Sequence, residues 1–451
     1  MSARARRIAL PAFVLCLGVA ALVARADWLQ PDASYREAQA DLRGATRDTI
    51  GQSTNIARLD TLGLALLRLG RTPEATKIFR RVLELSPDDK TAPAALGKLA
   101  LFAGRLDQAD SLLAAADPGD PGAELDRFVL KLRREDWAGA AALAPDVGQP
   151  GRVPMLERFA EAPVFRVVSG PAEVRLLWAR TWPVPLIRVK LEGESVLMGL
   201  DSGASDVLVD ESAARRLKLA RPGAEWPTFW MGSRLAVRGA IVRKLELGGM
   251  KIENVPVGTC DLQKWSLGAN PQGERVAGVI GVSILRRFCS TLDYANSRLV
   301  LRRDSTAFKP SPTAARVPFQ IWGEDEIMVS GAIGGGRRLA MVLQTGLPGA
   351  GIGAPSEVFD EFGLKPGAMA KLMKNAGGLS QGRPWSEVGV PAVSVGPILG
   401  DHVDGWSGAL DSGELWRHGI RRDAIVGGQF FKGRSVTFDW KRQELVVEHK
   451  D

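Results

Sequence analysis

The chain has only three cysteines and three histidines in 451 residues. One cysteine, Cys16, sits in an N-terminal apolar run, so a disulfide scaffold is excluded. The remaining two, Cys260 and Cys289, are either one disulfide or two buried free thiols. His402, His418 and His449 fall at no metal-ligand spacing, so no zinc site and no cofactor are expected. Basic residues outnumber acidic ones by 59 to 51, but they are scattered. Without a basic stripe interleaved with aromatics, nucleic acid is not an expected partner. No apolar run beyond the N-terminal one is long enough to span a bilayer, which excludes a multispan membrane protein.

What is present begins with "MSARARR", the apolar run "IALPAFVLCLGVAALVA" and the small-residue pattern Ala24-Arg25-Ala26. Residues 1–26 therefore have the order of a secretory signal, and a periplasmic or secreted protein is expected; the alternative is an uncleaved membrane anchor. Leu15 before Cys16 is bulkier than a lipoprotein box wants.

Residues 27–150 are expected to be helical. Gly63, Gly70, Ala75 and Pro87 recur 34 residues later as Gly97, Gly104, Ala109 and Pro121, with Phe79 matched by Leu113. Small residues at fixed places let the two helices of a hairpin pack closely, and the proline marks where the second helix stops. The stretches "LGLALLRLGRTPEATKIFRRVLELSP" and "LGKLALFAGRLDQADSLLAAADPGDP" resemble the tetratricopeptide repeat, and "REDWAGAAALAP" resembles a degenerate third copy. The resemblance implies a platform for a protein partner; the plainer alternative is a helical hairpin without a ligand.

From about residue 165 the pattern changes to short apolar alternations, glycines and turns. "LIRVKLEGESVLMGL" predicts a hairpin turned at Glu192-Gly193-Glu194, and "LELGGMKIENVPV" another around Gly248-Gly249. The block "GVIGVSILRRFCSTLDYANSRLVL" returns as "AIVGGQFFKGRSVTFDWKRQELVV" at a constant offset of 146, placing Gly281 on Gly427, Thr291 on Thr437 and Asp293 on Asp439. Two homologous β-rich lobes are therefore expected, at 165–305 and 312–451, joined by "SPTAARVP".

Each lobe has an apolar strand running into a turn. In the first it is "LMGLDSGAS", in the second "MVLQTGLPGAG". A strand ending in Asp-Ser-Gly-Ala-Ser, with two apolar residues and a glycine about 80 residues later, resembles the aspartic peptidases, and within them the bacterial retropepsin-like proteins. The resemblance implies a multidomain α plus all-β fold, with the two lobes forming a bilobal pepsin-like unit behind the helical repeat. It implies endopeptidase activity on a protein or peptide substrate, with Asp201 activating water and activity better below neutral pH. Ser202 would brace the two turns, Gly203 would allow close approach, and Ser205 would complete the loop. A flap is implied at 226–242, where Trp226 and Trp230 either line the cleft or pack in the core.

The second turn departs from the pattern. Gln344 stands where a second carboxylate is expected, followed by Thr345 and Gly346, and Leu347-Pro348 replaces Ala204-Ser205. An amide donates a hydrogen bond but neither holds nor returns a proton near neutral pH. Three arrangements follow: two first lobes from different chains pair as a homodimer, the lobes pair within one chain as a peptide-binding cleft that cleaves poorly, or the repeat works alone as an adaptor. Asp411-Ser412-Gly413 repeats the triplet without a preceding apolar strand and is expected to be a surface turn.

Overall fold

A computed structural model describes Ala40, residues 42–43, 54–230, 233–271, 273–367, 372–373, 385–410 and 418–449. The expected signal at 1–26 and the Asp411-Ser412-Gly413 turn lie outside the described residues. The N-terminal part is helical and the C-terminal part is rich in β-strands.

The helices come in hairpins: Ile56–Arg68 with Thr72–Leu85, Thr91–Phe102 with Leu106–Ala115, and Pro121–Arg133 with Trp137–Leu143. The 34-residue repeat is a packing repeat. A Cβ on Gly63 would lie 2.7 Å from the Phe79 ring, and one on Gly97 would lie 2.8 Å from Leu113 Cγ, so each glycine seats the large residue of the facing helix. Phe79 has no exposed surface, and truncating it to alanine would cost roughly 3 to 5 kcal/mol. Gly70 and Gly104 close their turns at φ +73° and +68°, and Glu135 takes that place in the third hairpin at φ +57°.

One expectation is corrected here. Pro87 follows the end of its helix, but Pro121 opens the next one, where Asp120 caps the helix by accepting from Ala123 N at 2.6 Å. A proline at the first helical position loses no hydrogen bond. A 3-10 turn, Pro150–Arg152, starts at the last residue of the range assigned to the repeat, and a further helix, Val153–Glu161, lies between that range and the lobe.

The first β-rich half contains β1 Arg166–Ser169, β2 Glu173–Leu177, β3 Leu186–Leu191, β4 Glu194–Leu200, β5 Val207–Asp210, β6 Glu225–Trp230, β7 Ser233–Leu247, β8 Met250–Cys260, β9 Gly278–Ile280, β10 Cys289–Asp293 and β11 Arg298–Arg302. The second contains β12 Ala315–Trp322, β13 Glu326–Ile333, β14 Leu339–Gln344, β15 Ile352–Ala354, β16 Leu372–Met373, β17 Trp385–Val395, β18 Ile398–Ser407, β19 Ala424–Gly427, β20 Arg434–Asp439 and β21 Glu444–His449. From Ile187 to Leu191 strand β3 buries alternate residues, as its sequence alternation requires. Gly248 and Gly249 turn the β7–β8 hairpin at φ +55° and +89°, values that only glycine adopts at little cost.

The pairings of the two halves correspond. In each, two antiparallel strands (β3 and β4, β13 and β14) are followed by a parallel partner of the second (β9, β19), which pairs antiparallel with β5 or β15. Those strands run parallel to β8 or β18 in turn. Hydrogen bonding also crosses between the halves. Strand β10 pairs with β20, so that β10, β11 and β2 extend the sheet of the second half in the order β21-β20-β10-β11-β2.

The helices dock on the β part through their turns. Arg133 donates to the carbonyls of Ile321 and Gly323, each at 2.6 Å, and Phe102 stacks on Trp322 with ring centres 5.3 Å apart. Gln443 donates to Phe102 O at 3.2 Å and Arg421 N to Arg68 O at 2.8 Å. Cys260 and Cys289 are both buried free thiols, and burial pushes that of Cys260 up to about 12.

Candidate active site

Strand β4 delivers Asp201 to the middle of the fold because its last five residues are buried and its end is tied to β9. Leu200 is registered on Ile280, and Asp201 N donates to Ile280 O at 3.1 Å. The loop then turns back as Ala204 N donates to Asp201 O. Ala204 and Ser205 contribute their carbonyls, which accept from Val282 N and Ser283 N, both at 2.8 Å. Ser205 is thus a main-chain anchor of the loop. Strand β14 delivers Gln344 in the same way, registered on Gly427 of β19, with Leu347 N donating to Gln344 O at 3.0 Å.

The two turns meet. Ser202 Oγ donates to Leu343 O at 2.8 Å, Ser202 N donates to Thr345 Oγ1 at 2.9 Å, and Thr345 N donates back to Ser202 Oγ at 3.2 Å. Their glycines are the contact points. A Cβ on Gly203 would overlap Gln344 Cγ, and a Cβ on Gly346 would overlap Asp201 Cγ, so each polar side chain lies on the glycine of the opposite turn. All four of Asp201, Ser202, Gln344 and Thr345 are buried.

Asp201 is fully enclosed, with no exposed surface. Its Oδ1 accepts from Gly203 N at 2.8 Å and Gly346 N at 2.9 Å; its Oδ2 accepts from the indole Nε1 of Trp230 at 2.7 Å. Burial raises its pKa above the ordinary carboxylate range, while the Gly203, Trp230 and Gly346 donors oppose that rise by favouring the ionised form. The phenol of Tyr294 is also buried nearby, and desolvation together with the charge of Asp201 keeps it protonated.

Trp230 ends β6, and its ring packs on Trp265 with centres 5.3 Å apart. The flap segment expected at 226–242 corresponds to the hairpin of β6 and β7. Sequence reasoning left Trp230 as lining or core; the structure makes it a hydrogen-bond donor to the carboxylate. Its indole N–H, the one polar atom of an otherwise apolar ring, was the available signal.

Asp206 was missed as well. It lies at the seam with the helices, close to Arg152, Arg286, Glu324 and Asp325 in a small cavity. Burial pushes its carboxyl up to about 6; Arg152 and Arg286 lower it, and Glu324 and Asp325 raise it.

No curated protein matches the chain. Residues 66–132, which span the repeated hairpins, match the family model described as tetratricopeptide repeat. Residues 187–284, from β3 through the Asp201 turn to the helix after β9, match the family model described as aspartyl protease, and across that range the chain is similar to the retropepsin-like peptidases.

Proposed function

We propose that the two β-rich halves form a bilobal pepsin-like unit with a single carboxylate, which binds an extended polypeptide between them and hydrolyses it slowly. Asp201, ionised, serves as the general base that takes a proton from water, and Gln344 stands in place of the second acid. The carboxamide can hydrogen-bond the scissile carbonyl oxygen, polarising it without delivering a proton. Loss of the acid function lowers the rate by roughly 100-fold to 10,000-fold relative to a two-carboxylate site.

The observation that carries this reading is the reciprocal seating of Asp201 on Gly346 and Gln344 on Gly203. It supports pairing of the halves within one chain, because the surface a first-lobe homodimer would use is already occupied. The test is cleavage of an unstructured protein by purified residues 27–451, which Asp201→Ala should abolish. Equal cutting by that variant removes the assignment.

A second reading, peptide binding without hydrolysis, is favoured by one specific contact. The Trp230 indole occupies Asp201 Oδ2, the oxygen left over by the two glycine donors. Water reaches that oxygen only when the indole withdraws. Peptide affinity that survives Asp201→Ala, with no cutting by either protein, would select this reading. In both, the apolar leader directs the chain to the periplasm or outside the cell, and the helical repeat is the surface offered to a protein partner.

A further inference from the structure

The hairpin that carries Trp230 is held, on the face that also carries the Trp226 and Trp230 rings, by the segment that follows the helical repeat. Met155, on the helix Val153–Glu161, places its Sδ where a Cβ on Gly239 of β7 would be, and the Trp226 ring of β6 flanks the same spot. Backbones touch as well: a Cβ on Gly151 would lie 2.9 Å from Glu225 O, and one on Gly223 would lie 2.8 Å from Gly151 O.

Arg152 joins three parts of the molecule. Its guanidinium lies 5.3 Å from the Phe128 ring of the third helical hairpin and 5.6 Å from the Trp226 ring of the flap hairpin. It also pairs with Glu324, in the turn between β12 and β13, at 2.7 Å. Arg152 and Met155 are both buried, so neither contact is diluted by solvent. A continuous line of packed groups therefore runs from the repeat, through Arg152, Met155 and Trp226, to the strand whose last residue caps Asp201.

Resting on the reading of Asp201 given above, we infer that the helical region is an inhibitory clamp. It holds the β6–β7 hairpin in the position where Trp230 occupies the carboxylate, and a polypeptide enters the cleft only when this seam loosens. The helical part is in this view a control on access to Asp201 as well as a platform beside it. A helical region whose buried side chains share one cluster with Trp226 and Trp230 is suited to such control because a small shift of one helix moves the whole hairpin.

The experiment uses the full-length protein with Met155→Ala, which hollows the seam, and Gly239→Ala, whose Cβ wedges it from the other side. The first readout is hydrogen exchange of the Trp230 indole N–H by NMR. The second is affinity for a statine-containing peptide, a mimic of the tetrahedral state, by calorimetry. Both variants should speed the exchange and tighten the peptide about tenfold, and in a Trp230→Phe background Met155→Ala should add nothing further.

Folded Met155→Ala and Gly239→Ala proteins that leave indole exchange unchanged overturn the clamp. So does a gain in affinity that persists undiminished in the Trp230→Phe background. If Trp230→Phe tightens the peptide while Met155→Ala and Gly239→Ala do not, the clamp fails while the site assignment stands. If no variant binds the peptide, the site assignment fails and indole exchange alone decides the clamp.

Discussion

Thr291 and Thr437 share a hydrogen bond between their hydroxyls, 2.7 Å apart, although 146 residues separate them. That separation is the offset at which the two halves repeat, so each threonine meets its own counterpart. Equivalent residues face one another only on a two-fold axis. The antiparallel pairing continues from them with Leu292 on Val436 and Asp293 on Ser435. The reciprocal contacts of Asp201 with Gly346 and of Gln344 with Gly203 follow the same relation.

Gln344→Asp should raise cleavage of an unstructured protein by roughly 100-fold or more, since it restores a group able to hold and return a proton. Initial rates at several protein concentrations check this. A variant no faster than wild type, with a rate that climbs more than linearly with concentration, would point to pairing of first lobes from two chains.

Asp201→Ala should lose activity and also stability. It leaves Gly203 N, Gly346 N and the Trp230 indole without their buried acceptor, each at a cost of about 1 to 3 kcal/mol. Urea denaturation measures the loss, and Asp201→Asn, which keeps an acceptor for the two glycine donors, should lose less.

The pH profile of cleavage should be a single rising limb. Asp201 must be ionised to act as a base, and its pKa is raised by burial, so the rate climbs as pH passes through that raised value. With Gln344 opposite, no second carboxylate adds a falling limb. This moves the expected optimum away from the acidic range of a two-carboxylate site. Gln344→Asp should turn the limb into a bell, and a bell in the wild type would count against a single-carboxylate mechanism.

Asp206→Asn should flatten part of the dependence of stability on pH. The folded carboxyl keeps its proton up to about pH 6, whereas the unfolded one gives it up near 3.8. Its favourable contribution is therefore complete below the unfolded value and is lost as pH rises through the folded value. At pH 7 the variant should be more stable by up to about 3 kcal/mol. Thermal unfolding of both proteins between pH 4 and 8 checks this.

Ser202→Ala should weaken the junction without touching the carboxylate. It deletes the donation to Leu343 O and the acceptance from Thr345 N, worth about 1 to 3 kcal/mol together. Differential hydrogen exchange should then rise in both turns at once; a rise confined to the first turn would mean that the brace is not shared.

Much of the architecture is legible in the chain itself. The 34-residue period marks a glycine opposite a large residue in each hairpin, and the structure seats Gly63 on Phe79 and Gly97 on Leu113. Glycine pairs marked the tight turns, and the 146-residue offset marked strands that occupy corresponding places in the two halves. Helix Val153–Glu161 escaped notice because it lies outside both repeats.

The sequence by itself determined the periodic features: helical hairpins, alternating strands, and two turns of like construction, one ending in a carboxylate and one in an amide. These follow from local rules, since backbone geometry repeats every few residues and side chains must match it. Tertiary structure alone decided that the Trp230 indole, 29 residues from Asp201 along the chain, caps the carboxylate. It alone set Met155 against the hairpin and closed Asp206 into the seam. Such contacts arise where separate elements converge, and the packing that brings them together leaves no period in the chain from which they could be read.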